Sequence, residues 1–121
     1  MFPGGAMAVK TTTLQSGQIG IIDVKGSLVG GEETDELRNA VADFVEQGTK
    51  KLIIDLSKVT YLNSTAIGVL VSAHTTFSKN GGHVKVCGIN KNINNIFVIT
   101  KLTLVFDVAE TREDAVKAFG A

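Results

Sequence analysis

The stretch Lys51–Gly82, KLIIDLSKVTYLNSTAIGVLVSAHTTFSKNGG, constrains this chain more than any other. Leu52–Leu56 is a short, nearly unbroken apolar run, the pattern of a strand buried on both faces of a partly parallel sheet. A polar turn follows. The next apolar segment predicts a helix from about Thr65 to Lys79, stopped by Asn80-Gly81-Gly82. Ile67, Leu70, Val71 and Phe77 are expected to form its packing face, with Ala66, Val69 and Ala73 widening the apolar arc. A helix of that kind either packs broadly or leaves some apolar surface for a partner. A strand that feeds straight into a helix is half of a βα unit, so the rest of the chain must supply its neighbours.

The rest of the chain has the elements to do so. Val9–Leu14 and Ile19–Val24 read as two strands joined by the turn Gln15-Ser16-Gly17-Gln18, a candidate hairpin. Gly26–Gly31 reads as a flexible passage, in which Gly26 is a structural turn residue. A helix is expected from about Glu33 to Glu46, because Leu37, Ala40, Val41, Phe44 and Val45 recur at spacings of three and four. Glu32, Glu33, Asp35 and Glu36 crowd its first turn, where unpaired amides favour negative charge. After Gly82, a second structural turn residue, come a short strand at Val84–Val86, a helix from about Asn92 to Thr100 and a strand at Leu104–Val108. Thr111-Arg112-Glu113-Asp114 has the form of a capping box for a last helix, Arg112–Phe119. The order β-β-α-β-α-β-α-β-α predicts an α/β domain with a mixed, mainly parallel sheet and right-handed crossovers. Residues 1–7 are expected to be a loose leader and 8–121 a single domain, a size suited to one core.

Composition narrows the functions. Twelve basic and twelve acidic side chains cancel, whereas a nucleic-acid binder is expected to carry a basic excess. With one tyrosine and no tryptophan, stacking platforms for bases are scarce. No apolar run is long enough for a spanning helix, so a soluble, cytoplasmic protein without membrane insertion is expected. The single Cys87 fits a reducing compartment. His74 and His83 have no HExxH setting and Cys87 has no CxxC partner, so no metal is expected. Gly30-Gly31 lacks the spacing of a phosphate loop, so no cofactor is expected either. Covalent catalysis needs a nucleophile with a positioned base, and no such pairing is visible around Ser64, so the chain does not read as an enzyme.

Two polar positions stand out. Asp55 falls at the end of the expected central strand, where many α/β sites form, though a carboxylate there also accepts turn amides. Asn63, Ser64 and Thr65 are each capable of capping the following helix, and one of them is expected to do so. The same geometry allows a second use. A hydroxyl in the first helical turn stays exposed on a rigid backbone, and phosphate there adds a charge near −2 beside free amides. The fold tolerates that charge and a docked partner does not. Helix caps are far commoner than switches, and periodicity alone leaves both readings open.

Three segments carry a family resemblance. Val24-Lys25-Gly26-Ser27-Leu28 is similar to a strand ending in a G-x-L turn. Leu52–Leu56 leading into Val59–Leu70 resembles the pattern DLS-x-V-x-x-(M/L)-D-S-(S/T)-(G/A)-(L/I)-G. Gly81–Ile89 is similar to the glycine turn and short strand that follow. Together they make nearly the whole chain, from about Met7, resemble a STAS domain of the bacterial anti-sigma factor antagonist family. The middle motif is the specific one.

The resemblance implies a small mixed sheet with helices mostly on one side. It implies phosphorylation at Ser64, with Thr65 second, by a partner that is both serine kinase and anti-sigma factor, and resetting by a PP2C-type phosphatase. It also implies a partner surface over Ser27, Leu28, Val29, Gly30, Asn63, Ser64, Thr65, Ile67 and Gly68. The chain departs from the pattern twice: Asn63 stands where an acid usually precedes the serine, and Val29 replaces the frequent aspartate after G-x-L. Both changes remove negative charge near the hydroxyl. They motivate an alternative, a non-switching adaptor subunit of a stress-signalling or lipid-transport assembly.

Overall fold

A computed structural model describes residues 8–120; the expected leader, residues 1–7, lies outside them. The elements are β1 (Val9–Leu14), β2 (Ile19–Leu28), α1 (Glu32–Glu46), β3 (Lys51–Leu62), α2 (Ser64–Lys79), β4 (His83–Cys87), α3 (Lys91–Ile99), a 3-10 turn at Leu102–Leu104, β5 (Asp107–Ala109) and α4 (Arg112–Ala118). The strands lie side by side in chain order. β1 pairs antiparallel with β2, and every later pair is parallel. The β-β-α-β-α-β-α-β-α order is the expected one.

Period-two alternation divides the sheet into two faces. Ile22, Leu52, Ile54, Val84 and Val86 point to the large core, which α1, α2 and α3 close with Leu37, Phe44, Leu70, Phe77, Ile93 and Phe97. Ile19, Ile21, Ile53 and Cys87 point the other way and meet Ala115 of α4. Three helices therefore cover one face, and one short helix partly covers the other. Close approach fixes two positions. A Cβ at Gly20 would sit 2.7 Å from the Phe44 ring, and one at Gly82 would sit 2.5 Å from the Lys50 carbonyl oxygen. Gly82 is thus a tight junction between α2 and the sheet, as its place after the helix predicts.

The sheet differs from expectation at its upper end. β2 runs to Leu28 and β3 to Leu62, so the expected passage Gly26–Gly31 begins as strand and is a loop only over residues 29–31, and the stretch after Leu56 is strand and not a polar turn. Register shifts fall between Asp23 and Lys25 and between Gly26 and Ser27. Each inserts an extra residue into β3, as a β-bulge does. Its inward residues Leu56, Val59 and Leu62 therefore recur every third position. That spacing hides the strand from a reading tuned to period two. Gly26, at φ +95, sits between the two irregularities.

The last strand is Asp107–Ala109, not Leu104–Val108. The chain turns through Lys101 at φ 62 into the 3-10 segment, which leaves Leu104 82 % exposed and buries Leu102 and Phe106 instead. On α2, Val69 is buried and Val71 is at the surface, reversing the expected order of the two valines.

Candidate functional site

The upper ends of β2 and β3 build a small platform. Register places Ser27 beside Tyr61 and Leu28 beside Leu62. The Asn63 amide donates to the Leu28 carbonyl at 3.0 Å, which ties the start of α2 to the end of β2. Asn63 is the N-cap: extended at φ −96 and ψ −177, it accepts the Ala66 amide on Oδ1 at 3.0 Å. Of the three candidate caps it alone is used so, which leaves Ser64 and Thr65 in the first turn with both side chains exposed. That turn contains no acidic residue.

The loop between β2 and α1 folds over this helix start. Gly30 donates to Thr34 Oγ1 at 2.9 Å, and Thr34 is fully buried. A Cβ at Gly30 would lie 3.4 Å from the Thr65 methyl, so the loop rests on α2. Val29 is 52 % exposed and Tyr61 49 % exposed, two large apolar groups on the same platform as Ser64. Ile67 is half-buried and packs on the core, whereas Gly68 is exposed. Gly68 and Thr65 line a groove of about 500 Å³ between α1 and α2. Leu28 is the exception among the expected surface residues. Its side chain is completely buried, so it supports the platform from below without reaching its surface.

Asp55 lies elsewhere, in the middle of β3 on the α4 face, and not at a strand end. It accepts one backbone amide, Ser57 N on Oδ1 at 2.9 Å, but Ser57 belongs to β3 and not to the turn that the sequence suggested. It does more than that. Arg112, the first residue of α4, donates Nε at 3.2 Å and Nη2 at 3.0 Å to Asp55 Oδ2, and it also pairs with Asp23. Asp23 and Asp55 are cross-strand neighbours, and the guanidinium neutralises their mutual repulsion. Burial works to raise the Asp55 pKa, but hydrogen bonds from Ser57 and the charge of Arg112 outweigh it and hold the carboxyl below its ordinary value. For Arg112, burial pulls the other way and the two carboxylates again prevail, holding its proton more firmly.

This triad joins residues 23, 55 and 112, and only the fold reveals it. The signal in the sequence was an arginine beginning a capping box, a place where the helix dipole favours acids. Thr111 does cap that helix, accepting Asp114 N at 3.0 Å.

The remaining reactive side chains have structural surroundings. The Cys87 thiol is pushed up to about 12, first by burial and then by the charge of Asp55, so it stays protonated at neutral pH. His74 packs edge-on against Phe106, 5.6 Å between ring centroids. Among the described residues no group of three or more His, Cys, Asp or Glu is placed to hold a metal ion, and no helix is long and apolar enough to cross a membrane.

The same architecture recurs in known proteins. SpoIIAA, an anti-sigma factor antagonist, superposes in its unphosphorylated form with a TM-score of 0.75 at 13 % identity, covering 94 % of this chain and 99 % of that one. Bacillus SpoIIAA in its phosphorylated form superposes at 0.73 and 15 % identity, covering 93 % and 99 %. The anti-sigma-B factor antagonist of Staphylococcus aureus (strain NCTC 8325) is 28 % identical over 89 residues, which is 70 % of this chain and 82 % of the relative. These structural likenesses concern the fold. The family is shown by the STAS domain model, which matches residues 10–115, from β1 into α4 and across the whole platform around Ser64: the chain belongs to the STAS domain family.

Proposed function

We propose that this protein is an anti-sigma factor antagonist, a non-enzymatic regulator that docks through the platform around Ser64 on a serine kinase that is itself the anti-sigma factor. One observation carries the proposal: Ser64 is exposed in the first turn of a helix whose N-cap is a different residue. Because Asn63 holds the cap, the Ser64 hydroxyl can be modified without loss of the hydrogen bond that starts α2. The kinase transfers the γ-phosphoryl group of ATP to Ser64 Oγ, releasing ADP and the hydroxyl proton. The new dianion faces first-turn amides and the positive end of the helix dipole, so the fold tolerates it. A partner packed over Val29 and Tyr61 would instead have to bury a hydrated dianion, at a cost far above that of any surface contact. Binding is lost and the fold is kept. A PP2C-type serine phosphatase resets the switch. That SpoIIAA is known in unphosphorylated and phosphorylated forms, and that the S. aureus relative is an anti-sigma-B factor antagonist, support the reading.

The test is incubation with the cognate kinase and ATP, with the modified residue mapped by mass spectrometry. Phosphate on Ser64 is expected, with Thr65 second. An unmodified protein after exposure to every kinase of this class in the host would end the switch reading. In that event Asn63 and Val29, which stand where the family pattern has acids, favour a constitutive adaptor that uses the same platform without phosphorylation.

A further inference from the structure

The two edges of the sheet are unequal. β5 offers three residues, whereas β1 offers six, Val9–Leu14, of which Lys10, Thr11, Thr12 and Thr13 are exposed. β1 pairs with β2 in unbroken register and contains neither a proline nor a bulge, two devices that keep an edge from being paired. One bond fixes where its free hydrogen-bonding groups point. The Lys25 amide donates to the Ala8 carbonyl at 3.0 Å, in the same register as Val9 beside Val24. Bonded and non-bonded pairs alternate along an antiparallel ladder, so Lys10–Asp23, Thr12–Ile21 and Leu14–Ile19 are the bonded ones. The amides and carbonyls of Thr11 and Thr13 therefore point away from β2, toward the open edge.

The strand is complementary to itself. Laid antiparallel against a second copy about a twofold axis at Thr12, Thr11 faces Thr13 of the copy, and each such pair exchanges both of its N–H···O bonds. Thr12 meets Thr12 across the axis, and threonine pairs of this kind stabilise neighbouring strands. Lys10 falls beside Leu14 of the copy, which leaves the two lysines roughly 14 Å apart along the strands, beyond the screening length at physiological salt. With the axis moved to Thr11, the lysines would stand roughly 7 Å apart on a diagonal, so charge selects the first register. On the α1 side of this edge, Asp43 and Gln47 line a depression of about 290 Å³ together with the three threonines. It leaves room for Thr11 and Thr13 of the copy and offers their hydroxyls an acceptor.

We propose that β1 is a self-association edge, through which two copies of this chain join antiparallel into one continuous sheet. Main-chain bonds and threonine pairs make up most of the contact and apolar area little of it, so the dimer is weak and concentration-dependent. The axis crosses the plane of the sheet and reverses strand direction. The upper ends of β2 and β3 then point to opposite sides in the two copies, and both Ser64 platforms stay open. The inference stands apart from the reading of Ser64, because the edge pairs whether or not that hydroxyl is modified.

Sedimentation velocity of the full chain, from about 10 µM to 1 mM, is expected to show a monomer–dimer equilibrium. Amide hydrogen exchange, followed by NMR over the same range, reads the register. Lys10, Thr12 and Leu14 should be protected at every concentration by β2, and Thr11 and Thr13 only where the dimer is populated. Thr12→Lys, at an exposed position, sets two ammoniums opposite each other at the axis. Thr11→Pro removes an amide donor that β2 does not use. Each is expected to weaken association about tenfold or more, whereas the control Thr103→Lys, exposed in the 3-10 turn, should leave it unchanged. Thr12→Lys leaves the main chain intact, so it decides the matter if proline unfolds the domain. A chain still monomeric at about 1 mM, or Thr11 and Thr13 amides that exchange equally fast at all concentrations, overturns the proposal. So does a dimer that survives Thr12→Lys, or one that Thr103→Lys weakens as much.

Discussion

The starts of α1 and α2 stand next to each other, joined where Gly30 rests on Thr65, and they are provisioned in opposite ways. α1 begins at Gly31, which offers no side-chain cap, and its first turn carries Glu32, Glu33 and Asp35. α2 begins at Asn63, which caps with its side chain, and its first turn carries no acid at all. Both helices leave unpaired amides and a partial positive charge at this end. In α1, carboxylates built into the sequence answer that charge. In α2 the need for a hydrogen bond is met and the need for charge is left open, beside an exposed hydroxyl. A helix capped only by its own acids has no room for a phosphate, whereas one capped by a neutral amide can take it. On this view, phosphorylation makes the second helix start resemble the first, and the whole platform becomes negative.

The strongest way to break the comparison is to make the two starts alike. Phosphorylated Ser64, or Ser64→Glu as a weaker mimic, is expected to lower affinity for the kinase partner about 100-fold, some 2.7 kcal/mol, by calorimetric titration. The melting temperature should move by no more than about 2 °C, because an acid in a first turn is worth only a fraction of a kcal/mol. A mimic that unfolds the domain would mean that α2 cannot accept charge where α1 does.

The start of α4 supplies a contrast to both. Its first residue is Arg112, a cation at the positive end of a helix, and only the Asp23–Asp55 pair explains it. Arg112→Met should leave two adjacent carboxylates without a counter-charge. For a guanidinium 33 % exposed, this is expected to cost about 2 kcal/mol in urea denaturation, below the range for fully buried pairs. The pH dependence has a definite sign. The folded pKa of Asp55 is depressed, so its contribution to stability is present above the unfolded value of about 4 and is lost as pH falls through the folded one. Removing the arginine takes away part of that depression, so stability should fall less steeply below about pH 5 in the variant than in the parent. Equal slopes would show that Ser57 alone sets the Asp55 titration.

How far the sequence revealed these helix starts depended on whether the signal was local. The Thr111 cap and the Asn63-Ser64-Thr65 cluster were readable because a cap and its amide lie within one turn. The choice of Asn63 over Ser64 was not, since all three residues cap well and the backbone entering from Leu28 decides. The platform beneath was half hidden. Inserted residues give β3 an inward spacing of three at Leu56, Val59 and Leu62, so a strand looked like a turn. β5 misled in the opposite sense. The apolar letters of Leu104–Val108 suggested a strand, but the strand is Asp107–Ala109, and Leu104 and Val105 lie on the surface after a left-handed Lys101. Arg112 and its two aspartates lie 57 and 89 positions apart in the chain, and no periodicity connects residues at such distances.

A smaller effect tests the cap itself. Asn63→Ala removes the acceptor for Ala66 N and is expected to cost about 1 kcal/mol in thermal or urea unfolding. Asn63→Asp keeps the acceptor and adds the charge that α2 lacks. It should leave stability within a few tenths of a kcal/mol of the parent or slightly above it. If alanine costs nothing, Ser64 or Thr65 has taken over the cap, and the hydroxyl proposed for modification is no longer free of a structural duty.

The smallest effect is expected on the other side of the comparison. Gly31→Ser places a capping oxygen where α1 has none. The site accepts a side chain, since φ is −93 and the nearest contact of a new Cβ is Glu33 Oε1 at 3.7 Å. Two terms favour the folded state, a first-turn hydrogen bond and the smaller backbone freedom of serine in the unfolded chain. One opposes it: ψ of −152 lies at the margin of the extended region, so the hydroxyl meets the amides at a less favourable angle. The sum should be a gain of about 0.5 kcal/mol, read from the urea midpoint at constant slope. Kinase affinity should not change, because the added group is neutral and serves α1. A loss of stability would show that the three carboxylates already satisfy this helix end as fully as Asn63 satisfies its neighbour. The two starts would then differ in where they carry charge and not in how well they are capped.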